Sequence, residues 1–261
     1  MRIALIGAGN LATNLGVALF NSGNQIVQVY SRTLSHAVSL ADRIGAQAVD
    51  NINNVTNAAD LYIVALKDNV LESIIPSLCK NKSDKYYFHT AGSMSVDIFK
   101  GHAKHYGVLY PMQTFSKQRI VDFKVISCFI EASDVLAKSI LQQLCDSISD
   151  RVYELSSDNR KYLHLAAVFA CNFVNHCYEI SSGILNKNDI PFDVMLPLID
   201  ETAKKVHEMK PKDAQTGPAV RYDENVISRQ MQLLDGTPLN KEIYQLMSKS
   251  IHATAINKED L

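Results

Sequence analysis

Apolar and polar positions follow two different rhythms along this chain. Up to about residue 155, short runs of β-branched, aliphatic and aromatic residues recur between stretches of helical spacing. Arg2–Ile6, Gln25–Tyr30, Ala46–Val49, Asp60–Leu66, Tyr86–His89, Gly107–Tyr110, Lys124–Ile130 and Val152–Glu154 each have the length and composition of a strand. Between them, Leu11, Leu15, Ala18 and Leu19 recur at helical spacing until Asn21-Ser22-Gly23. Leu34–Ile44, the stretch running to about Leu78, and Val135–Leu144 also read as helices. Strands alternating with helices predict an α/β fold built on a doubly wound sheet. After Ser156 the strand pattern stops and everything reads as helix, over about Asp158–Leu185, Asp193–Met209, Asp223–Leu234 and Pro238–Ala253. Asp193 and Asp223 are placed to cap, and Thr237-Pro238 is a cap followed by a first-turn proline. Residues from Asn257 onward are expected to fray.

The first strand runs straight into Gly7-Ala8-Gly9-Asn10-Leu11-Ala12 and then a helix. This is the G-x-G-x-x-G/A dinucleotide fingerprint in its strand–turn–helix context. Gly7 permits the tight turn, Gly9 lets a pyrophosphate approach the backbone, and Ala12 lets the helix pack close to the strand. The free amides and positive end of that helix then face the phosphates. The chain therefore reads as a Rossmann-like dinucleotide-binding domain over residues 1–155 followed by an all-α domain over residues 156–261.

The second strand ends at Ser31-Arg32-Thr33, where an acidic residue would hold the ribose of NAD. An arginine between two hydroxyls can pair with a 2′-phosphate instead, which favours NADP; the alternative is a solvated loop arginine. Ligands of doubly wound sheets sit beyond the carboxyl ends of the strands. Lys67, Asp68, Thr90 and Gly92 at that edge are candidate cofactor contacts. Ser93, Gln113 and Thr114 are candidate substrate contacts.

Net charge is −1 at neutral pH, so electrostatics make no case for nucleic acid or an anionic membrane. The five cysteines are dispersed and form no C-x-x-C, which suits reduced thiols in a cytoplasm. The chain enters a strand at once, so no signal peptide is expected. The longest apolar run, Leu163 to Val174, is interrupted by His164 and Asn172 and is too short to span a bilayer. His102 and His105 lie in a lysine-rich surface stretch, and no zinc pattern occurs, so no metal site is expected.

The first helix of the second half is apolar almost all round, as in a helix buried in a bundle or between subunits. It nevertheless carries Lys161, His164, Asn172 and Asn175. At 3.6 residues per turn these four fall in a sector of roughly 80°. Such a stripe on a buried helix needs partners, either a substrate cleft or structural hydrogen bonds to loops. His89 and His164 are the candidate proton donors, and Asn172 and Asn175 would orient substrate. His89 has the alternative of a strand-end residue bonded to the backbone. In Thr216-Gly-Pro-Ala-Val-Arg221-Tyr-Asp223, Arg221 could hold a carboxylate bidentately or merely pair with Asp223.

Gly7-Ala-Gly-Asn-Leu-Ala12, His89-Thr-Ala-Gly-Ser93, Tyr110-Pro-Met-Gln-Thr-Phe115, Asn172-x-x-Asn175 and Thr216-Gly-Pro-Ala-x-Arg221-x-Asp223 resemble an uncharacterised bacterial family. It joins a Rossmann-like NADP oxidoreductase domain to a helical domain of unknown function, number 2520. The N-terminal half is also similar to pyrroline-5-carboxylate reductase and the β-hydroxyacid dehydrogenases. The resemblance implies a two-domain reductase, dimeric through its helices. Two positions depart from these relatives. Tyr110 stands where many members of the family carry histidine. Val168 stands where the β-hydroxyacid dehydrogenases carry a catalytic lysine, so their mechanism does not transfer. The expectation is an NADP-dependent oxidoreductase acting on a small carbonyl or imine; the alternative is a non-catalytic NADP(H) sensor.

Overall fold

In the computed structural model, the residues described are 1–256, so the expected fraying from Asn257 onward lies outside them. The strands are β1 (Arg2–Ile6), β2 (Gln25–Tyr30), β3 (Gln47–Val49), β4 (Leu61–Val64), β5 (Tyr86–His89), β6 (His105–Pro111), β7 (Ser127–Ala132) and β8 (Arg151–Glu154). They form one sheet in the order β3-β2-β1-β4-β5-β6-β7-β8. Only the β6–β7 pair is antiparallel among the described strands. The helices of this part are α1 (Asn10–Asn21), α2 (Leu34–Ile44), α3 (Asp68–Cys79), α4 (Val135–Ile148) and α5 (Ser157–Ala167).

The central strands are apolar on both faces because both faces are covered. Leu5 packs with Leu15, Leu40 and Leu141 from α1, α2 and α4. Ala4 and Ile6, on the opposite face, pack with Leu71 and Ile75 from α3 and with Phe99 of the 3₁₀ turn Val96–Phe99. This is the doubly wound, Rossmann-like α/β sheet. Close approach of α1 to β1 depends on Gly16 as well as Ala12, since a Cβ on Gly16 would stand 2.7 Å from the Leu5 side chain.

The chain divides into two compact units, Met1–Asn172 and the remainder from Phe173. The change of pattern near residue 155 and the division in space are thus different events, because α5 keeps company with the sheet. The single helix expected over Asp158–Leu185 is broken by a π-helical segment, Val168–Phe173, before α6 (Val174–Asn186) begins. In a π turn each residue advances the helix by less than in an α turn, so the 80° stripe counted on ideal α geometry does not run unbroken through it.

The second unit continues with α7 (Leu196–Glu208), two single turns α8 (Pro211–Ala214) and α9 (Pro218–Arg221), α10 (Glu224–Gln232) and α11 (Pro238–Ile256). Asp223 caps α10 by accepting from the Val226 amide. Asp193 does not cap α7; it lies inside the 3₁₀ turn Phe192–Met195 that precedes that helix. Pro238 opens α11 as expected, but the Thr237 hydroxyl donates back to the Leu234 carbonyl. α9 and α11 are joined where His252 Nδ1 meets the Val220 carbonyl and its ring packs on Tyr222. No helix among the described residues is long and apolar enough to cross a membrane.

Candidate active site

The parallel register from β2 to β6 brings the ends of β1, β2, β4, β5 and β6 to one edge of the sheet. Gly7 leaves β1 with φ of +124°, a conformation that L side chains rarely adopt, and a Cβ there would meet the Ala65 carbonyl oxygen at 2.3 Å. Ala8 is buried, whereas Gly9 faces open space, with nothing within 4 Å of where its Cβ would be. Gly9 is also the N-cap of α1, and no side chain caps those first amides. Asn10 is exposed, Leu11 is half-buried and Ala12 is buried. An open cradle at an uncapped helix start fits a pyrophosphate.

Asn14 supports this turn. It is fully buried, donates to the Asn10 and Ser116 carbonyls and accepts from the Val121 amide. It thereby fixes the segment after β6 beside the glycine turn. The sequence signal for it was one asparagine on the apolar face of α1.

Along the same edge, Arg32 and Thr33 are exposed and Ser31 is half-buried. Lys67 is exposed ahead of α3. Ser93 donates a short hydrogen bond to Asp68, so these two polar groups serve each other. Thr90 is buried. Gly92 is buried too, and its missing side chain makes room for two rings rather than for a phosphate. A Cβ there would lie 2.6 Å from His164 Nδ1 and 3.0 Å from the Tyr110 ring.

His89 has no exposed surface. Its Nδ1 accepts from the Ala91 amide, so Nε2 carries the proton and donates to the Ser95 carbonyl. Burial, aided by the positive charge of Arg160, pushes its pKa down from 6.5 to about 3. His89 is a backbone-bonded strand-end residue with no nitrogen left for proton transfer.

His164, on α5, meets Tyr110 at the end of β6. The phenol oxygen is 3.0 Å from Nδ1, and the rings are edge-on with centroids 6.0 Å apart. Burial raises the Tyr110 pKa, and the nearby Arg160 opposes that shift. Arg160, one helical turn before His164, is itself 1% exposed. Its guanidinium donates to Glu131, to the Met94 carbonyl and to the Ser157 hydroxyl, while its Nε has no partner. Ser157 in turn donates to Glu131 and accepts from the Val96 amide. α5 is thus stapled to β7 and to the loop after β5. Arg160 escaped the reading of the stripe because nothing in a helical repeat distinguishes it from its exposed neighbour Lys161.

A cleft of about 600 Å³ opens beside this pair. The glycine turn contributes Asn10 and Leu11, and the end of β6 contributes Tyr110 and Met112 to Phe115. α5 and the π segment contribute Leu163, His164, Ala166, Ala167, Ala170, Cys171 and Asn172. Of the expected site residues, Asn10, Leu11, Gln113, Thr114, His164 and Asn172 therefore come together here. Asn175 and Arg221 are exposed residues of the second unit and are not part of this lining. Arg221 and Asp223 form no ion pair, and Asp223 instead caps α10. π segments inside α-helices occur frequently at functional sites, and here one supplies part of the cleft wall.

A doubly wound sheet with an open glycine cradle at its carboxyl edge places the chain in the Rossmann-like class, with a turn that fits a dinucleotide. The chain belongs to the family that joins an NADP oxidoreductase domain to a domain of unknown function. Residues 2–88 match the family described as "NADP oxidoreductase coenzyme F420-dependent", and residues 126–251 match domain of unknown function DUF2520. The structure of a putative NADP oxidoreductase from Bacteroides fragilis is 51% identical, with 97% of this chain and 98% of that one covered and a TM-score of 0.94. An imine reductase from Myxococcus stipitatus in complex with NADP⁺ shares the fold at 14% identity, over 98% of this chain and 95% of that one, with a TM-score of 0.72. A pyrroline-5-carboxylate reductase from Coxiella burnetii shares it at 16% identity, over 98% and 97% of the two chains, with a TM-score of 0.58. No curated protein matches the chain. Family membership supports binding of a nicotinamide-type cofactor, and the cradle fits one.

Proposed function

We propose that this protein is an NADP-dependent oxidoreductase that transfers a hydride between the nicotinamide and a small carbonyl or imine. The observation that carries this reading is the cleft. Its wall joins the glycine turn of a dinucleotide site to Tyr110, His164 and Asn172 in a single concavity. Gly7 and Gly9 would bring backbone amides to the pyrophosphate, and Arg32 would pair with the 2′-phosphate. Asn172 would orient the substrate by its amide. When bound, the cofactor supplies or accepts the hydride; the protein's part is orientation and stabilisation of the charge that develops on the substrate oxygen or nitrogen. The reduction of C=N bonds named for two of the structural neighbours supports including imines.

Calorimetry tests the cofactor half. NADPH should bind more tightly than NADH, and Arg32→Ala should remove about 1.5–3 kcal/mol of that preference, the worth of a charge-assisted contact. Equal affinities in the unmodified protein would overturn the assignment. Absorbance at the reduced-nicotinamide band, with a panel of small ketones, aldehydes and cyclic imines, tests the chemistry. NADPH that binds but is never oxidised would place the protein among non-catalytic sensors.

A further inference from the structure

Reduction of a carbonyl or imine needs a proton as well as a hydride. Two histidines were candidates for supplying it, and the structure separates them. His89 has both nitrogens engaged by the main chain and no exposed surface. His164 instead shares a hydrogen bond with a side chain that has an exchangeable proton of its own, the Tyr110 phenol, at 3.0 Å. Both residues line the cleft, beside Asn10 and Leu11 of the glycine turn. The pair is deliberately accommodated: Gly92 carries no Cβ, and one would stand 2.6 Å from His164 Nδ1 and 3.0 Å from the Tyr110 ring. It is also held from behind. Arg160, one turn earlier on α5, anchors that helix to Glu131 and to the Met94 carbonyl of the same loop as Gly92.

We infer that Tyr110 and His164 form a proton relay opening on the cleft, with Tyr110 as the donor to substrate and His164 as the residue that positions and recharges it. This rests on the reductase reading. The balance is simple. As the hydride forms the new C–H bond, the C=O or C=N π bond breaks and its electrons move onto oxygen or nitrogen. Tyr110 gives that atom its O–H proton. His164 replaces the proton from Nδ1–H while its Nε2 takes one from water, and exchange of the ring protons with water then restores the Nδ1–H tautomer. The sum consumes one reduced nicotinamide dinucleotide and one solvent proton for each double bond reduced. Donation by a positioned general acid contributes roughly 10²–10⁴-fold to rate.

The test uses the full chain and two readouts. The first needs no turnover: ¹⁵N-histidine NMR of the protein without cofactor, compared with Tyr110→Phe. The His164 ring-nitrogen resonances should shift in the variant, while NADPH affinity by fluorescence stays the same. Unchanged His164 resonances would overturn the pairing. The second is turnover of cyclic imine and ketone probes with NADPH. Tyr110→Phe should lower kcat by about 10²–10⁴-fold with the NADPH Kd unaltered. His164→Gln should lower it less and shrink the solvent isotope effect. A Tyr110→Phe variant retaining more than a tenth of the activity defeats the relay alone. An unmodified protein that binds NADPH and reduces none of the probes defeats the reductase reading, and the relay with it.

Discussion

At the scale of single residues, two positions show how local geometry decides between roles that the residue type leaves open. Gly7 has no latitude, because its φ is +124° and a Cβ would overlap the Ala65 carbonyl oxygen. Gly7→Ala should cost about 2–5 kcal/mol, adding strain at a forbidden φ to overlap with rigid backbone. Urea unfolding measures this, and NADPH binding should weaken with it. His89 looks like an acid–base residue in the sequence but is folded neutral. Its pKa falls from 6.5 to about 3 on folding. Above pH 6.5 it is uncharged in both states and adds no pH dependence. Below that, the unfolded chain takes up a proton that the folded one refuses, so stability falls by about 1.4 kcal/mol per pH unit until about pH 3. His89→Gln should therefore lose less stability between about pH 7 and pH 5 than the unmodified protein, as read from urea midpoints at the two values.

At the scale of elements, the strands and the glycine turn were legible because a strand buried on both faces must be continuously apolar. β1, β2 and β5 fall where the apolar runs predict, and α2 ends at Gly45 in the left-handed conformation that only a glycine adopts easily. The π segment was not legible. An added residue in a helical turn leaves no mark on an apolar sequence that has few polar positions to go out of phase. The Tyr110–His164 bond was equally hidden, since it joins residues 54 apart through the packing of α5 on the sheet edge. What holds α5 there is the Arg160–Glu131 pair, with Arg160 at 1% exposure and Glu131 at 19%. Removing one member of a buried pair strands the other charge, at about 3–5 kcal/mol. Glu131→Ala should accordingly destabilise the protein by about that amount in urea unfolding. Replacing both residues with apolar ones of similar volume should recover much of it.

For the whole molecule, the informative feature is apolar surface that the chain does not cover for itself. Leu165 on α5 is more than half exposed, as are Leu198, Leu239 and Leu246 in the second unit. Few of the described residues of that unit are buried; Ala219, Ile227 and Ser248 are among them. Helices of this composition are expected to pair between copies, and two-fold pairing is the commonest soluble arrangement. Light scattering at micromolar concentration should give twice the chain mass; a monomer would overturn this proposal. The sheet itself points the same way. It ends on β3, of three residues, and β8, of four, the latter carrying exposed Arg151 and Glu154 with Glu154 paired to Lys138. Such short outer strands, β8 also charged, offer little backbone for another chain to extend. Growth of one molecule onto the next by strand addition is therefore blocked at both margins, and the same brevity protects a sheet this apolar from running on into fibres.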